Sequence, residues 1–320
     1  MTASKSQRIV IVGGGISGLS IAVRLVQAGL PVTLVEGSEL GFGASTRNQG
    51  WLYSGAWFAP ENPLLAAQCY RSLQQTLFFC PECVEPDQSG MFYVISKKST
   101  RPDKWSLVWT NASIPFDPIP IDTFLGELPH WNPDNVHKVW ELPDRAIRTD
   151  ILLRRLMEVA DDRGVEFRTG TPIAGLMRSG SHVQGVVTTN GEEIPARLVI
   201  LATGGETGLW SEASVEAPGD QPSYQLVNLK THLLAIPHQL SPRPFCVLDR
   251  GGFNHIPHTG KSIFGSNHWE VVSRPDDVQA EKEEIQRILD LIHQLLPSWS
   301  FSKNEIIDWA GTTVQAMHVE

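Results

Sequence analysis

The sequence has few cysteines, no long apolar run and no surplus of basic residues, and each of these absences excludes a class of protein. Four cysteines in 320 residues are too few for a disulfide framework. No stretch reaches the roughly 18 apolar residues of a transmembrane helix, and the N-terminal apolar run is too short for a signal peptide. The net charge of −9 disfavours nucleic acid as a partner. We therefore predict a cytoplasmic globular protein without a transmembrane segment; peripheral membrane contact stays open.

A glycine-rich turn between a short apolar strand and an amphipathic helix is the most informative stretch, "IVIVGGGISGLSIAVRLVQAGLPVTLVE", residues 9–36. Its glycines have the spacing G-x-G-x-x-G, which permits a tight turn, backbone approach to a pyrophosphate and packing of the helix on the strand. An acid ends the second strand, near the spacing at which a carboxylate binds ribose hydroxyls. The positions predicted to contact a dinucleotide are Gly13, Gly15, Ile16, Ser17, Gly18 and Glu36. The glycines alone leave NAD and FAD open.

Two further stretches distinguish NAD from FAD. After the acid comes a glycine- and hydroxyl-rich loop within "GSELGFGASTRNQG", where an NAD domain normally proceeds to another helix and strand. Much later, "RLVILATGG" is a strand that runs into small residues. With these motifs the sequence resembles the FAD-dependent oxidoreductases of the D-amino-acid-oxidase superfamily over nearly its whole length, and within it the glycerol-3-phosphate and L-2-hydroxyglutarate dehydrogenases. The resemblance implies FAD as cofactor, and an NAD-using dehydrogenase is the disfavoured alternative.

The resemblance also implies which further residues contact FAD. Glu36 is expected to bind the adenosine ribose, and the backbone around Ile173 is expected to meet the adenine. A loop that we call the cofactor loop, residues 43–50, is expected to follow the pyrophosphate and ribityl chain; it consists of Gly43, Ala44, Ser45, Thr46, Arg47, Asn48, Gln49 and Gly50. Ala202, Thr203 and Gly204 are expected to pass close to the cofactor, because small residues admit backbone approach.

The predicted fold class is α/β, with a Rossmann-like FAD-binding domain of the glutathione-reductase type interleaved with an α+β substrate domain built on an antiparallel sheet. Apolar periodicity predicts helices at 17–28, 62–80, 149–163 and 281–296. The stretch 98–135 is rich in proline, aspartate and tryptophan with little periodicity, which indicates an irregular excursion from the first domain. We assign residues 1–88 and 142–215 to the FAD-binding domain, with 301–320 returning to it, and residues 89–141 and 216–300 to the substrate domain.

Flavin supplies the redox chemistry in such enzymes, so the protein must orient a substrate C–H bond and accept one proton. In "RNQGWLYSGAW", Tyr53 stands where the related dehydrogenases have a histidine. They have another histidine shortly before a proline and a glycine turn, near His255 in "GGFNHIPHTG". The resemblance thus makes His255 the leading proton acceptor, His258 the second and Tyr53 an orienting hydroxyl; a structural, hydrogen-bonded histidine is the alternative. Arg47 or Arg250 could pair with a substrate carboxylate.

A CxxC pair, Cys80 and Cys83, has a spacing at which thiols bind zinc or form a disulfide. No second pair at matching spacing accompanies it, so we predict inert thiols and no metal site.

These observations predict an FAD-dependent oxidoreductase that oxidises a CH–NH or CH–OH bond of a small, carboxylate-bearing amino acid or 2-hydroxyacid by hydride transfer to flavin. The electron acceptor cannot be assigned from the sequence. Family members generally continue past the equivalent of "IIDWAGTT", whereas this sequence ends at Glu320. We therefore expect a C-terminally truncated chain with weakened flavin retention, and the alternative to an enzyme is a flavin-binding protein without catalysis.

Overall fold

The computed structural model describes residues 8–98, 100–212 and 224–318, and these residues form a mixed α/β fold. The helices are α1 (Ile16–Gln27), α2 (Pro63–Phe79), α3 (Asp103–Asn111), α4 (Ile121–Glu127), α5 (Thr149–Asp162), α6 (Thr207–Glu212) and α7 (Lys282–Leu295). The strands are β1 (Ile9–Val12), β2 (Val32–Val35), β3 (Trp51–Leu52), β4 (Met91–Ile95), β5 (Asp117–Ile119), β6 (Lys138–Leu142), β7 (Arg145–Ala146), β8 (Glu166–Arg168), β9 (Ile173–Ser179), β10 (His182–Thr188), β11 (Glu193–Pro195), β12 (Leu198–Leu201), β13 (Tyr224–Ile236), β14 (Phe245–Val247), β15 (Phe253–His258), β16 (Lys261–Gly265), β17 (Glu270–Val272) and β18 (Ile307–His318). None of these helices is both long and apolar enough to cross a membrane.

A four-stranded parallel sheet is ordered β12-β1-β2-β8, and the glycine turn follows the end of β1. Its central strands are buried on both faces, which explains their unbroken apolar sequences. Ile9 and Ile11 pack on one face against α1 and α5, while Val10 and Val12 pack on the other against the small antiparallel sheet β11-β10-β9. Alternation along one strand thus places a layer on each side of the sheet.

A larger sheet, ordered β17-β13-β16-β15-β14-β4-β6-β5, has β18 as an additional partner of β13. One face is covered by α4 and α7, through residues such as Phe124 and Ile288. The other face packs against α2 and α3, through Ala66 and Trp109. Both faces are therefore apolar, and only alternation along each strand decides which side chain faces which layer.

The predicted fold class is confirmed, and the four predicted helices are present as α1, α2, α5 and α7 with small shifts at their ends. The stretch 98–135 differs from its prediction, because it contains α3, β5 and α4. Buried aromatic side chains such as Trp109 hold these short elements, and such packing leaves no periodicity in the sequence.

The strand pairing bears on the predicted domain boundaries. We expected residues 301–320 to return to the FAD-binding domain, but β18 pairs with β13 in the larger sheet over twelve positions. The segment nevertheless contacts the cofactor loop, because Trp309 Nε1 donates to the Arg47 carbonyl oxygen at 2.8 Å. The predicted boundary at 215/216 lies outside the described residues, and the domain division stays a prediction.

Candidate functional site

The glycine turn brings the ends of two parallel strands into contact. Gly13 has φ +111°, and a Cβ there would collide with the carbonyl oxygen of Ala202, the residue that follows β12. A Cβ on Gly18 would collide with the carbonyl oxygen of Gly13. These two glycines are therefore required for the backbone to pass this closely, and the structure joins the first and last predicted cofactor segments at one point.

The start of α1 and the predicted ribose-binding acid lie beside this turn. Gly15 precedes the helix without a side-chain cap, and the Ile16 N–H donates to Ser45 Oγ of the cofactor loop at 2.9 Å. Glu36 Oε2 accepts from the Gly14 N–H at 2.7 Å, and its Oε1 accepts from the Ser38 N–H at 2.9 Å. Oε1 also accepts from the Ser38 hydroxyl at 3.2 Å, so Oε2 is the oxygen that keeps a lone pair for a hydroxyl, and the helix N-terminus favours negative charge.

The cofactor loop is fixed by its own polar side chains. Asn48 Nδ2 donates to the Ser45 carbonyl oxygen at 2.7 Å, and Asn48 Oδ1 accepts from the Gly50 N–H at 2.7 Å. Thr46 Oγ1 donates to the Gly41 carbonyl oxygen at 2.9 Å, and the Arg47 guanidinium lies 5.7 Å from the Phe42 ring centroid. The hydroxyl and amide groups that suggested cofactor contacts thus also hold the loop in shape.

The remaining predicted cofactor residues border the same region. The Thr171 N–H donates to the Glu36 carbonyl oxygen at 2.9 Å, which places the start of β9, and hence Ile173, beside the acid. Thr203 and Thr207 have hydroxyls 3.3 Å apart, and Gly204 has φ +57° at the turn into α6. The cofactor loop, the start of β9 and the residues that follow β12 therefore surround the glycine turn.

The far end of the cofactor loop lies against the larger sheet. Gln49 Oε1 and Asn254 Oδ1 are buried and have no hydrogen-bond partner among the described residues. Both approach Gly265, since a Cβ there would lie 2.9 Å from the glutamine oxygen and 3.5 Å from the asparagine oxygen. Gly265 pairs directly with Asn254 across β16 and β15. Because Gly265 has no side chain, both oxygens can lie close to it, and neither accepts a hydrogen bond from a described residue.

His258 connects this loop to a buried acid. Its Nε2 donates to the Gln49 carbonyl oxygen at 2.9 Å, and its Nδ1 lies 2.7 Å from Glu85 Oε1. Glu85 is 5% exposed and also accepts from Thr259 Oγ1 at 3.3 Å. Both ring nitrogens are therefore engaged, and the ring holds the backbone of the cofactor loop in place.

His255 lies on the opposite face of the sheet from the cofactor loop. It is fully buried among the aromatic side chains of the α7 face, with its ring centroid 5.1 Å from that of Phe245 and 5.0 Å from that of Phe264. Its Nε2 lies 3.0 Å from Ser262 Oγ, and burial lowers its pKa to about 3. Asn254 and His258, at even positions of β15, face the loop instead. The structure thus does not bring His255 together with the predicted cofactor residues, and its surroundings fit the structural alternative.

Tyr53 lies in an aromatic group at the end of the cofactor loop. Its hydroxyl oxygen accepts from the Phe58 N–H at 3.0 Å, and its ring meets Trp51 edge-on at 4.9 Å. Burial and the neighbouring Asp144 carboxylate raise the pKa of Tyr53 well above its ordinary value. The phenol therefore stays protonated, which fits an orienting hydroxyl and not a base.

Asp144 holds this aromatic segment, and sequence patterns did not indicate it. Its Oδ1 accepts from Trp51 Nε1 at 2.9 Å, the Ser54 N–H at 3.0 Å and the Tyr93 hydroxyl at 3.1 Å. The side chain is fully buried, and burial raises its pKa. Neither Asp144 nor Glu85 belongs to a motif, because their hydrogen-bond partners are distant in sequence.

The two candidate carboxylate-binding arginines differ in position. Arg47 is part of the cofactor loop, whereas Arg250 is held elsewhere. The Arg250 Nε donates to Ser96 Oγ at 2.9 Å, and its Nη1 donates to Gln294 Oε1 at 3.3 Å.

Cys80 and Cys83 are buried free thiols in the layer that packs on α5, and burial raises the pKa of Cys83 to about 12.

Comparison with known proteins identifies relatives over almost the whole chain. One subunit of the anaerobic glycerol-3-phosphate dehydrogenase of Escherichia coli (strain K12) is 26% identical over 308 residues, covering 92% of this chain and 54% of that protein. The glycine oxidase of Pseudomonas aeruginosa is 28% identical over 319 residues, covering 96% of this chain and 82% of the oxidase. The structure of dithionite-reduced L-α-glycerophosphate oxidase from Mycoplasma pneumoniae with FAD bound has a TM-score of 0.79 at 19% identity, covering 97% of this chain and 83% of that one.

The chain spans about half the length of the glycerol-3-phosphate dehydrogenase subunits of E. coli and Haloferax volcanii that it matches. The similarity to the solved structure concerns the fold. The family model described as FAD dependent oxidoreductase matches residues 8–318. With the glycine turn, the acid and the cofactor loop where the motifs predicted them, the chain belongs to this family of FAD-dependent oxidoreductases.

Proposed function

We propose that the protein oxidises a CH–NH or CH–OH bond of a small, carboxylate-bearing molecule, with FAD as hydride acceptor. The observation that supports this most directly is the path of the cofactor loop. It begins at the N-terminus of α1, where Ser45 accepts from the Ile16 N–H, and ends against the larger sheet, where His258 donates to the Gln49 carbonyl oxygen. One short segment thus connects a phosphate-binding turn with the larger sheet, where the buried Asn254 lies.

The residues present fit FAD. The turn at Gly13 and Gly18 has no room for side chains, so backbone can approach a pyrophosphate. Glu36 Oε2 has a lone pair left for a ribose hydroxyl, and Gln49 Oε1 and Asn254 Oδ1 are unpartnered acceptors among the described residues. When bound, FAD supplies the two-electron chemistry that side chains cannot perform. The protein supplies the orientation of the substrate C–H bond and manages its proton.

An amine substrate is favoured over an alcohol by the state of the candidate bases. Oxidation of an alcohol by hydride loss requires a base for the hydroxyl proton, whereas an ammonium group can lose its proton to solvent beforehand, and the lone pair of the neutral amine then forms the iminium ion as the hydride leaves. Within the described part of the chain, His258 has both nitrogens engaged, His255 faces the opposite layer and Tyr53 stays protonated. We therefore assign His258 to positioning the loop and Tyr53 to orienting neighbouring backbone, with no proton transfer by either.

The lack of a free base among His258, His255 and Tyr53 also supports a second candidate, a flavin-binding protein without turnover. One experiment separates these functions. The purified protein is heated to release its cofactor, which is identified by chromatography; a second sample is mixed anaerobically with amino acids and N-methyl amino acids, or with 2-hydroxyacids and glycerol phosphate. Bleaching of flavin absorbance by the first set supports the amine assignment, and bleaching by the second set alone contradicts it. Bound FAD with no bleaching supports the second candidate, and NAD or no nucleotide overturns the proposal.

A further inference from the structure

A group of charged side chains lies between the larger sheet and the beginning of α7, on the face opposite the cofactor loop. Lys230 and His232 point to this face from β13, since they alternate with Leu233 and share the side of Leu234, which packs in the α7 layer. Glu270 reaches the same place from β17, and Glu281 and Glu284 reach it from the start of α7. The inference drawn from this group does not depend on the proposed function.

We infer that His232, Glu270 and Glu281 form a binding site for a divalent transition-metal ion such as Zn²⁺. One ligand atom from each residue lies within 4.8 Å of the other two, so movements of about 1 Å would bring all three to the distances of roughly 2.0–2.2 Å at which imidazole and carboxylate bind zinc. One nitrogen and two oxygens are a ligand set that such an ion accepts.

The buried imidazole is the observation that distinguishes this group from an ordinary acidic cluster. His232 is 2% exposed, and neither of its ring nitrogens has a hydrogen-bond partner among the described residues. A buried ring with two unpaired polar atoms is unfavourable unless something binds it.

The charges around the ring suit a doubly charged cation. Four carboxylates, those of Glu270, Asp277, Glu281 and Glu284, lie close together; among the described residues Lys230 pairs with Asp277 and Glu281, and Arg287 pairs with Glu284. The Lys230 ammonium lies 3.0 Å from Asp277 Oδ1 and 2.8 Å from Glu281 Oε1, and it lowers the pKa of Glu281. Asp277 can therefore retain the lysine when Glu281 binds an ion.

A neighbouring triad shares Glu270 and must be distinguished from the proposed site. His268 Nδ1 lies 3.0 Å from Glu284 Oε2, and Arg287 Nη2 lies 3.1 Å from Glu284 Oε1. Both oxygens of Glu284 thus already have partners, unlike the nitrogens of His232. We assign the ion to the triad with the unpartnered ring.

The test is stoichiometric Zn²⁺ binding to the full chain, with zinc as the probe and bound flavin as the check of folding. The protein is stripped with a chelator, titrated with Zn²⁺ against a chromophoric chelator and assayed for bound metal. We expect about one zinc per chain, and we expect Glu270→Gln and Glu281→Gln to weaken binding by more than about tenfold. Glu283→Gln, at an exposed position of the same helix, is the matched control and should bind normally.

Other variants locate the ion. His268→Gln, in the neighbouring triad, should leave the affinity within about threefold, and a Cys80→Ser/Cys83→Ser chain should bind as well as the parent. Absence of stoichiometric zinc, unchanged binding in Glu281→Gln, or loss of binding in the His268 or cysteine variants would each overturn the assignment. His232→Ala gives the same loss if it folds, but Glu270 and Glu281 are not buried, so their variants carry the test even where His232→Ala does not fold.

Discussion

His258 Nε2 lies 2.9 Å from the Gln49 carbonyl oxygen, so a histidine at the end of β15 holds the loop that connects the phosphate-binding turn with the larger sheet. The two residues are 209 positions apart in the chain. The same ring is held in turn by Glu85, and together they form a buried polar link between the two regions that the family fold must align. A change in this link should therefore affect both folding and cofactor binding.

Replacing His258 with alanine should loosen the cofactor loop and leave Glu85 as a buried carboxylate without its main partner. Breaking a buried pair of this kind costs about 3–5 kcal/mol, so we expect a lower free energy of unfolding and a flavin affinity reduced by about tenfold or more. Denaturant unfolding and flavin titration measure the two quantities. His182→Ala, at an exposed position of β10, is the control; equal behaviour of the two variants would contradict the link.

His255 should contribute to pH-dependent stability and not to the redox reaction. Its pKa is about 3 in the folded protein and about 6.5 in an unfolded chain, so the unfolded state binds more protons between these values. The free energy of unfolding therefore falls as the pH is lowered from 6.5, by about 1.4 kcal/mol for each pH unit at most. His255→Gln should remove this contribution, which unfolding curves at pH 7, 6 and 5 would reveal. A changed pH profile of flavin reduction, with unchanged stability, would instead support the proton-acceptor role predicted from the sequence.

His255 and His258 show which features of the candidate site could be predicted from the sequence and which could not. The glycine turn, Glu36 and the cofactor loop could be recognised in the sequence because their glycines, acid and hydroxyl residues follow a known spacing within one short stretch. His255 and His258 stand in one strand whose two faces are both buried, so apolar alternation could not tell which face meets the loop. Glu85 and Asp144 could not be found at all, since their partners come from elements that meet only after folding.

Gly18→Ala should abolish flavin binding, because the added methyl group would collide with the Gly13 carbonyl oxygen and force α1 away from β1. Gly126→Ala in α4 is a matched control: no atom lies within 4 Å of the added Cβ, and alanine favours a helix by up to about 1 kcal/mol. The ratio of flavin absorbance to protein after purification measures the effect. Full flavin content in Gly18→Ala would show that the turn does not hold the cofactor.

Substitutions at Asp144 should separate the effect of its hydrogen bonds from the effect of its charge on the segment after the cofactor loop. Burial raises its pKa, so the folded state holds a proton more tightly than the unfolded chain does, and the stability from this group is lost as the pH rises from about 4 through the folded pKa. Asp144→Asn keeps an oxygen for the Trp51, Ser54 and Tyr93 donors and carries no charge. We expect it to be at least as stable as the parent at pH 7, whereas Asp144→Ala leaves three donors unpaired and should cost about 3 kcal/mol or more. Thermal unfolding of both variants at pH 5 and pH 7 checks this, and a destabilised Asp144→Asn at pH 7 would mean that the ionised carboxylate itself is required.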